Sequence, residues 1–103
     1  MIAALVLFET NGTLSLEEAI ARFNTTAPNY RGREGLISKA YIYREDGQTL
    51  GGFYLWESKE HAESQYTAAW QAKAAEIYGT QPVISYFEAP VYIVNELPVA
   101  TGD

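Results

Sequence analysis

The alternation of apolar and polar positions predicts four strands and two helices in the order β-α-β-β-α-β. We predict the strands at about residues 2–8, 36–44, 49–57 and 82–96. Asp46-Gly47 lies between the two central strands and predicts a type I′ hairpin turn. Pro90 interrupts the last strand, which favours a position at the sheet edge or at a bulge. This order is that of the ferredoxin-like α+β fold, in which both helices pack on one face of an antiparallel sheet.

Serine residues mark the start of both predicted helices. Ser15, with Glu18 three residues later, forms a capping-box signal, and apolar residues follow at helical spacing. Ser58 caps the second helix, which we predict over 59–78 with a kink near Thr67. The first helix then has an apolar stripe formed by Leu16, Ala19, Ile20 and Phe23.

Pairing outward from the hairpin turn determines which side chains share a face of the sheet. The resulting pairs are Tyr43 with Leu50, Tyr41 with Gly52, Lys39 with Tyr54, and Ile37 with Trp56. One face then carries Ile37, Lys39, Tyr41, Tyr43, Tyr54 and Trp56. The other carries Leu36, Ser38, Ala40, Ile42, Phe53 and Leu55. The first face combines rings, hydroxyls and one ammonium with space beside Gly52, which is the make-up of a pocket for a planar ligand.

The same aromatic row is also consistent with a core or with a contact between subunits. Aromatic cross-strand pairs stabilise a sheet by about 0.2–1 kcal/mol each, and Tyr and Trp are enriched at protein interfaces. The sheet face away from the helices carries too many apolar side chains to face water. We therefore expect a partner to cover that face, and a homodimer is the simplest arrangement.

Composition narrows the class of protein. The chain has 103 residues, of which 48% are hydrophobic and 19% charged, and we predict a single globular domain over 1–103. A formal charge of −6 and only seven Lys and Arg residues argue against binding to a phosphate backbone. Gly51, Tyr54 and Leu55 stand where the RNA-recognition motif needs a basic, a small and an aromatic residue. We therefore predict no nucleic-acid partner.

The sequence predicts no metal site and no membrane partner. It contains no cysteine, which excludes disulfides and thiolate ligands and fits a cytoplasmic location. No apolar run approaches the roughly 18 residues that a membrane span needs. The only histidine, His61, is predicted in the first turn of the second helix beside Glu57, Glu60 and Glu63. We expect a solvated histidine there, since no second strong ligand follows at i+4.

The segments EGLISKAYIYREDGQTLGGFYLWESKEHAESQYTAAW and YGTQPVISYFEAP carry a family resemblance. The positions that carry it are Gly35-Leu36, Lys39, Gly51-Gly52-x-Tyr54-Leu55, Ala62, Tyr66 and Gly79-x-x-Pro82. From Pro28 to Pro90 the sequence resembles the YdhR-like mono-oxygenases of the dimeric α+β-barrel superfamily, which also contains the antibiotic-biosynthesis monooxygenases.

The resemblance implies a homodimer whose two sheets face each other, with a cavity between sheet and helices in each subunit. Characterised relatives in the superfamily oxidise phenolic polycycles such as anthrones to quinones with O₂ and without metal or flavin, so we expect no cofactor. Haem-degrading relatives need an asparagine in the first strand and a histidine about ten residues after the tryptophan. This chain has Phe8 and Glu9 at the end of that strand and Tyr66 ten residues past Trp56, which argues against haem degradation.

Cofactor-free oxygenation requires a group that deprotonates the substrate and groups that stabilise the anion. Lys39 could act as the base or stabilise an oxyanion, although a surface lysine paired with a carboxylate is an equal alternative. Arg31 could close over an acidic or phenolic ligand. We predict Lys39, Tyr54 and Trp56 as catalytic residues and Tyr41, Tyr66, Trp70 and Arg31 as substrate-binding residues. The sequence leaves two other functions open, an aromatic-metabolite-binding protein and an isomerase or cyclase.

Overall fold

The computed structural model describes residues 1–96 and confirms the ferredoxin-like α+β order. The strands are β1 (Ile2–Glu9), β2 (Leu36–Tyr43), β3 (Thr49–Trp56) and β4 (Val83–Glu88). They form one antiparallel sheet in the order β2-β3-β1-β4. The helices are α1 (Leu16–Thr26), α2 (Lys59–Gln65) and α3 (Ala68–Tyr78), and a short 3₁₀ helix, Ala27–Tyr30, follows α1.

The hydrophobic core lies between one face of the sheet and the helices. Alternate residues of β1, namely Ala4, Val6 and Phe8, are buried there because successive side chains of a strand point to opposite faces. Phe23 of α1 and Ala74 of α3 pack into the same cluster. No helix in the described part of the chain is long and apolar enough to span a membrane.

The predicted helix starts are confirmed. The Ser15 hydroxyl accepts a hydrogen bond from the Glu18 amide at 3.2 Å, and the Glu18 carboxylate accepts one from the Ser15 amide at 3.3 Å. This is the reciprocal capping box, which satisfies two amides that have no partner inside the helix. The Ser58 hydroxyl likewise accepts from the His61 amide at 3.2 Å.

The prediction of one helix over 59–78 is wrong in its continuity, because the helix breaks at the predicted kink. Tyr66 leaves helical geometry with φ −90° and ψ 51°, and its side chain turns into the core. Thr67 then begins α3, since its hydroxyl accepts a hydrogen bond from the Trp70 amide at 3.1 Å. Gly79 ends α3 in the left-handed conformation at φ 77°.

The predicted hairpin register is confirmed over most of its length. The observed pairs include Tyr43 with Leu50, Tyr41 with Gly52, and Lys39 with Tyr54. The predicted pair of Ile37 with Trp56 is wrong, because a bulge between Leu36 and Ser38 adds one residue to β2 and places Leu36 opposite Trp56. Leu36 therefore packs against the core, and the Ile37 side chain is exposed.

The turn between β2 and β3 is not type I′. That turn needs positive φ at both central residues, whereas Gly47 has φ 73° and Asp46 does not have a positive φ. The chain instead forms a four-residue loop in which the Gly47 amide donates to the Arg44 carbonyl at 2.8 Å. The Arg44 amide still donates to the Thr49 carbonyl, and the register outward of the loop is therefore unchanged.

The last strand is shorter than predicted. β4 ends at Glu88, which pairs with Ile2, the first residue of β1. The Ala89 amide still donates to the Met1 carbonyl at 3.1 Å, but beyond it the described residues offer β4 no strand to pair with, and Pro90 has no amide hydrogen to donate. The side chains of residues 91–94 are exposed, so the apolar pattern of this segment does not signal a strand of the sheet.

Candidate functional site

Three tyrosine rings surround the amine of Lys39. Its Nζ lies 3.4 Å from the ring centroid of Tyr30, 3.8 Å from that of Tyr41 and 4.4 Å from that of Tyr54. Tyr41 is two residues along the same strand and shares a face with Lys39, and Tyr54 is its cross-strand partner. Tyr30 comes from the 3₁₀ helix after α1. We call Tyr30, Tyr41 and Tyr54 the tyrosine cage.

The tyrosine cage and Lys39 form part of a cavity of about 100 Å³ between the sheet, the 3₁₀ helix and α3. The cavity is lined by Phe8, Thr26, Asn29, Tyr30, Lys39, Tyr41, Gly51, Gly52, Tyr54, Trp70, Lys73, Ala74, Ile77 and Tyr78. The chain carries 13 acidic residues and a charge of −6, yet none of these lining residues is acidic and two are lysines. The cavity thus has a local charge opposite in sign to that of the whole chain.

Burial lowers the pKa of Lys39 from 10.5 to about 7, because the half-buried ammonium loses hydration. The negative faces of the cage rings act in the opposite direction and stabilise the ammonium form by cation–π attraction. As a result, the neutral amine and the ammonium are both populated near neutral pH. A lysine paired with a surface carboxylate, the alternative left open by the sequence, does not describe this environment.

Two phenols of the tyrosine cage, those of Tyr41 and Tyr54, remain protonated where the lysine titrates. Burial raises the pKa of Tyr54, and the neighbouring Tyr30 phenol raises it further. Burial also raises the pKa of Tyr41, whose hydroxyl lies 2.7 Å from the Thr26 hydroxyl in a hydrogen bond. Burial raises the pKa of Tyr78, which also lines the cavity, to about 12. These phenols are therefore proton and hydrogen-bond donors at any pH near neutrality.

Because Gly52 has no side chain, the side chains of Lys39 and Tyr54 can extend over this position of β3. A Cβ atom at Gly52 would lie 2.8 Å from Cε1 of Tyr54 and 3.1 Å from Cε of Lys39. The space predicted beside Tyr41 is thus filled by these two side chains. At Gly51 a Cβ would lie 1.8 Å from the Val6 carbonyl oxygen, so glycine there permits the close approach of β1.

Four of the predicted site residues line the cavity. They are Lys39, Tyr41, Tyr54 and Trp70. Trp70 enters from α3, and its indole Nε1 donates a hydrogen bond to the Tyr30 hydroxyl at 3.2 Å. This bond joins α3 to the 3₁₀ helix across the cavity.

Trp56 and Tyr66 do not line the cavity, contrary to the expectation that they contact a ligand. Trp56 has no exposed surface, and its indole Nε1 donates to the Tyr66 hydroxyl at 3.0 Å. The Trp56 ring is nearly parallel to that of Tyr54, with centroids 6.0 Å apart. These two residues therefore form the packed layer that holds Tyr54 in place.

Arg31 and His61 both lie outside the cavity. Arg31 is exposed and lines a neighbouring shallow groove, which Tyr30, Lys39 and Tyr41 also line. The His61 ring packs over Gly35, and its Nδ1 lies 2.7 Å from the Ser58 hydroxyl, so it is half-buried rather than solvated as expected. In the described residues no three His, Asp or Glu side chains come together in a group that could hold a metal ion.

Several lining residues were not predicted from the sequence, namely Tyr30, Thr26, Asn29, Lys73 and Tyr78. Thr26 ends α1, Asn29 and Tyr30 lie in the 3₁₀ helix that follows it, and Lys73 and Tyr78 belong to α3. One local signal was present, since Pro28 near the start of a short helix is favourable and fixes a turn before Tyr30.

Comparison with known families identifies the family to which the chain belongs. The family described as "Putative mono-oxygenase ydhR" matches residues 5–96, and the chain belongs to this family. A comparison with curated protein sequences finds no match.

Solved structures share the fold at low sequence identity. The structure of Rv0793 from Mycobacterium tuberculosis is similar with a TM-score of 0.62 and 15% identity, covering 91% of this chain and 98% of that one. A monooxygenase from the gene ActVA-Orf6 of Streptomyces coelicolor, in complex with nanaomycin D, gives 0.63 and 16%, covering 92% of each chain. SnoaB, a cofactor-independent oxygenase from Streptomyces nogalater, gives 0.64 and 11%, covering 91% and 97%.

Proposed function

We propose that this protein is a cofactor-independent monooxygenase that oxidises a small phenol with O₂, with Lys39 as the base. The observation that carries the proposal is the Lys39 amine, held among three tyrosine rings at a cavity that no acidic residue lines in the described part of the chain. Family membership and the oxygenase among the structural neighbours support the general class of activity. A base with a pKa near the working pH is the most effective for general catalysis.

In the proposed reaction, Lys39 takes the proton of the substrate phenol and leaves a phenolate beside an ammonium. The electron-rich phenolate transfers one electron to O₂, and the resulting radical pair combines to form a peroxide at the unsubstituted para carbon. Loss of the para C–H proton and cleavage of the O–O bond then release water and leave a quinone. The balance is one phenol and one O₂ giving one quinone and one water, and no other oxidant is needed.

The cage residues have separate roles in this proposal. The faces of the cage rings stabilise the Lys39 ammonium once it has taken the proton. The hydroxyls of Tyr41 and Tyr54, which remain protonated, donate hydrogen bonds to the developing anion. The indole of Trp70 packs on the substrate ring.

Cavity size favours a small substrate. A dry cavity of about 150 Å³ accommodates benzene, and drug-sized ligands occupy about 300 Å³ or more. The cavity of about 100 Å³ is smaller than both, so it admits at most a single ring, part of which lies outside the enclosed volume. We therefore propose monocyclic electron-rich phenols rather than anthrones as the preferred substrates.

Oxygen uptake by metal-stripped protein tests this proposal. The panel contains resorcinols, hydroquinones, naphthols and anthrones, each measured against its spontaneous oxidation. We expect uptake above the spontaneous rate, with resorcinols favoured, and a loss of about 10²-fold or more in Lys39→Met, since general-base catalysis contributes about that much. Lys59→Met is the matched control, because Lys59 is exposed and outside the cavity.

The outcomes of this experiment separate three functions. Uptake that is equal in wild type and Lys39→Met would contradict the assigned base. No uptake, together with a calorimetric binding signal for some panel members, would indicate an aromatic-metabolite-binding protein. Conversion of a substrate without O₂ would indicate an isomerase or cyclase.

We also propose that the protein is a homodimer whose sheet faces meet. Phe53, Val83 and Phe87 lie on the sheet face away from the helices, and their side chains are 45%, 62% and 53% exposed. A contiguous apolar surface of this kind favours a partner, and a second copy with the same face is self-complementary. The proposed partners are thus a second copy, a small phenol and O₂. The cytoplasmic location favoured by the sequence stays a prediction.

A further inference from the structure

Lys39 differs from the other lysines of the chain in its surroundings. The sequence contains three lysines, Lys39, Lys59 and Lys73, and the latter two are exposed. The amine of Lys39 is enclosed by the tyrosine cage, and within residues 1–96 no acidic side chain lines the cavity to hold it as an ammonium in an ion pair. A lysine in this environment is a nucleophile as well as a base, since desolvation favours the neutral amine.

We propose that Lys39 condenses reversibly with the carbonyl group of a small aromatic aldehyde or ketone, so that the cavity holds such compounds as imines. This inference needs only the cavity and its amine, and it stands without the oxygenase proposed above. The aromatic walls, which include Phe8, Trp70 and Tyr78, favour a carbonyl attached to a ring.

The condensation balances within the site. The nitrogen lone pair of Lys39 attacks the carbonyl carbon, and the carbonyl oxygen takes up a proton to form a carbinolamine. The oxygen then leaves as water together with the second amine proton, and a C=N bond forms. One water is released for each imine, and no oxidant or reductant takes part.

Groups around the Lys39 amine assist formation of the imine and protect it from hydrolysis. The Tyr41 hydroxyl, held by Thr26, is a proton donor to the departing oxygen, and its raised pKa keeps it protonated. The apolar lining limits the access of water, which would otherwise hydrolyse the imine. The same cavity size that favours a monocyclic phenol favours a benzaldehyde-sized carbonyl compound.

Reductive trapping of the full-length protein tests this inference. Benzaldehyde and sodium cyanoborohydride are added at pH 7, and the labelled positions are found by peptide mass spectrometry, since reduction converts each imine into a stable benzylamine. We expect Lys39 to be labelled at least about tenfold faster than Lys59 and Lys73, because an ordinary lysine is almost wholly ammonium at pH 7. Tryptic cleavage after Lys39 is lost on labelling, and a fused peptide covering 34–44 marks the product.

Three controls determine what the result means. Lys39→Arg should remove the fast site, and Lys59→Arg should leave it in place, since Lys59 is exposed and outside the cavity. Unfolding in urea should make the three lysines equal. Labelling of Lys39 no faster than Lys59 in the folded protein, or a preference that persists in urea, would overturn the inference. Fast labelling of Lys39 in a protein that shows no oxygen uptake would support the imine site and contradict only the proposed oxygenase activity.

Discussion

At the scale of single residues, Lys39 makes the stability of the fold depend on pH. Its pKa is about 7 in the folded protein and 10.5 in the unfolded chain. Between these values the unfolded chain holds more protons than the folded protein, so the free energy of unfolding rises with pH. This contribution to the free energy of unfolding is fully present above pH 10.5, decreases as the pH falls below that value, and is lost once the pH has fallen through about 7.

Lys39→Met should remove this dependence. We expect the difference in free energy of unfolding, wild type minus Lys39→Met, to become more positive by on the order of 1 kcal/mol from pH 6 to pH 9, allowing for the partial exposure of the lysine. Urea denaturation at pH 6, 7, 8 and 9 measures it, in a range below the titration of the tyrosines. Lys59→Met is the control, and wild-type and Lys39→Met curves that stay parallel would contradict the burial of the amine.

The sequence predicts one half of the candidate site and misses the other for a physical reason. Lys39 and Tyr54 are cross-strand partners, and a short hairpin loop determines such a pair locally. Tyr30 reaches the same amine from the segment after α1, and its position depends on how that segment packs on the sheet. Trp56 was expected at the site but is buried in the core. The sequence does not separate these two roles, because a buried packing ring and a ligand-contacting ring have the same sequence pattern.

At the scale of elements, the break between α2 and α3 turns Tyr66 into the core and starts a new helix at Thr67. The sequence indicates the position of this break but not its extent, because a threonine hydroxyl within a helical pattern can either stay in the helix or cap a new one, and the burial of Tyr66 is a tertiary contact. The capping box at Ser15 was predictable, since all its bonds join residues three apart. The end of β4 was not, because it depends on where its neighbour β1 begins.

Thr67→Ala should destabilise the protein without a change in fold. Loss of the hydrogen bond to the Trp70 amide leaves an unpaired amide at the start of α3, which costs about 1 kcal/mol. Thr67→Ser keeps the hydroxyl and should stay within about 0.5 kcal/mol of wild type. Equilibrium unfolding in urea, followed by circular dichroism, compares the three proteins. Equal losses for alanine and serine would show that the cap is not the cause.

At the scale of the whole molecule, the sheet has helices on one face and exposed apolar side chains on the other. Among the residues that the structure describes, none covers Phe53 or Phe87, which remain about half exposed. The solvated face of an antiparallel sheet is commonly polar, so an apolar one favours a covering partner. In the proposed dimer, the outer sheet faces of the two subunits cover each other. Each cavity then stays on the helical side of its own sheet.

Phe53→Glu tests the proposed dimer. Light scattering after gel filtration should give wild type twice the 11.5 kDa mass of one chain. The variant should dissociate at least about tenfold more readily, because the twofold arrangement brings two buried charges into one interface. Ile20→Glu is the matched control, since Ile20 is similarly exposed but lies on α1. A monomeric wild type, or an unaffected Phe53→Glu dimer with a native circular dichroism spectrum, would exclude this interface.

The two tryptophans of the chain occupy opposite environments, which gives the protein two internal optical reporters. Trp56 is wholly buried, and its indole hydrogen-bonds Tyr66, so its emission should be blue-shifted and should report on the intact core. Trp70 lines the cavity, and its emission should respond to whatever enters. In Trp70→Phe the fluorescence of Trp56 then follows unfolding, and in Trp56→Phe the fluorescence of Trp70 follows occupancy of the cavity.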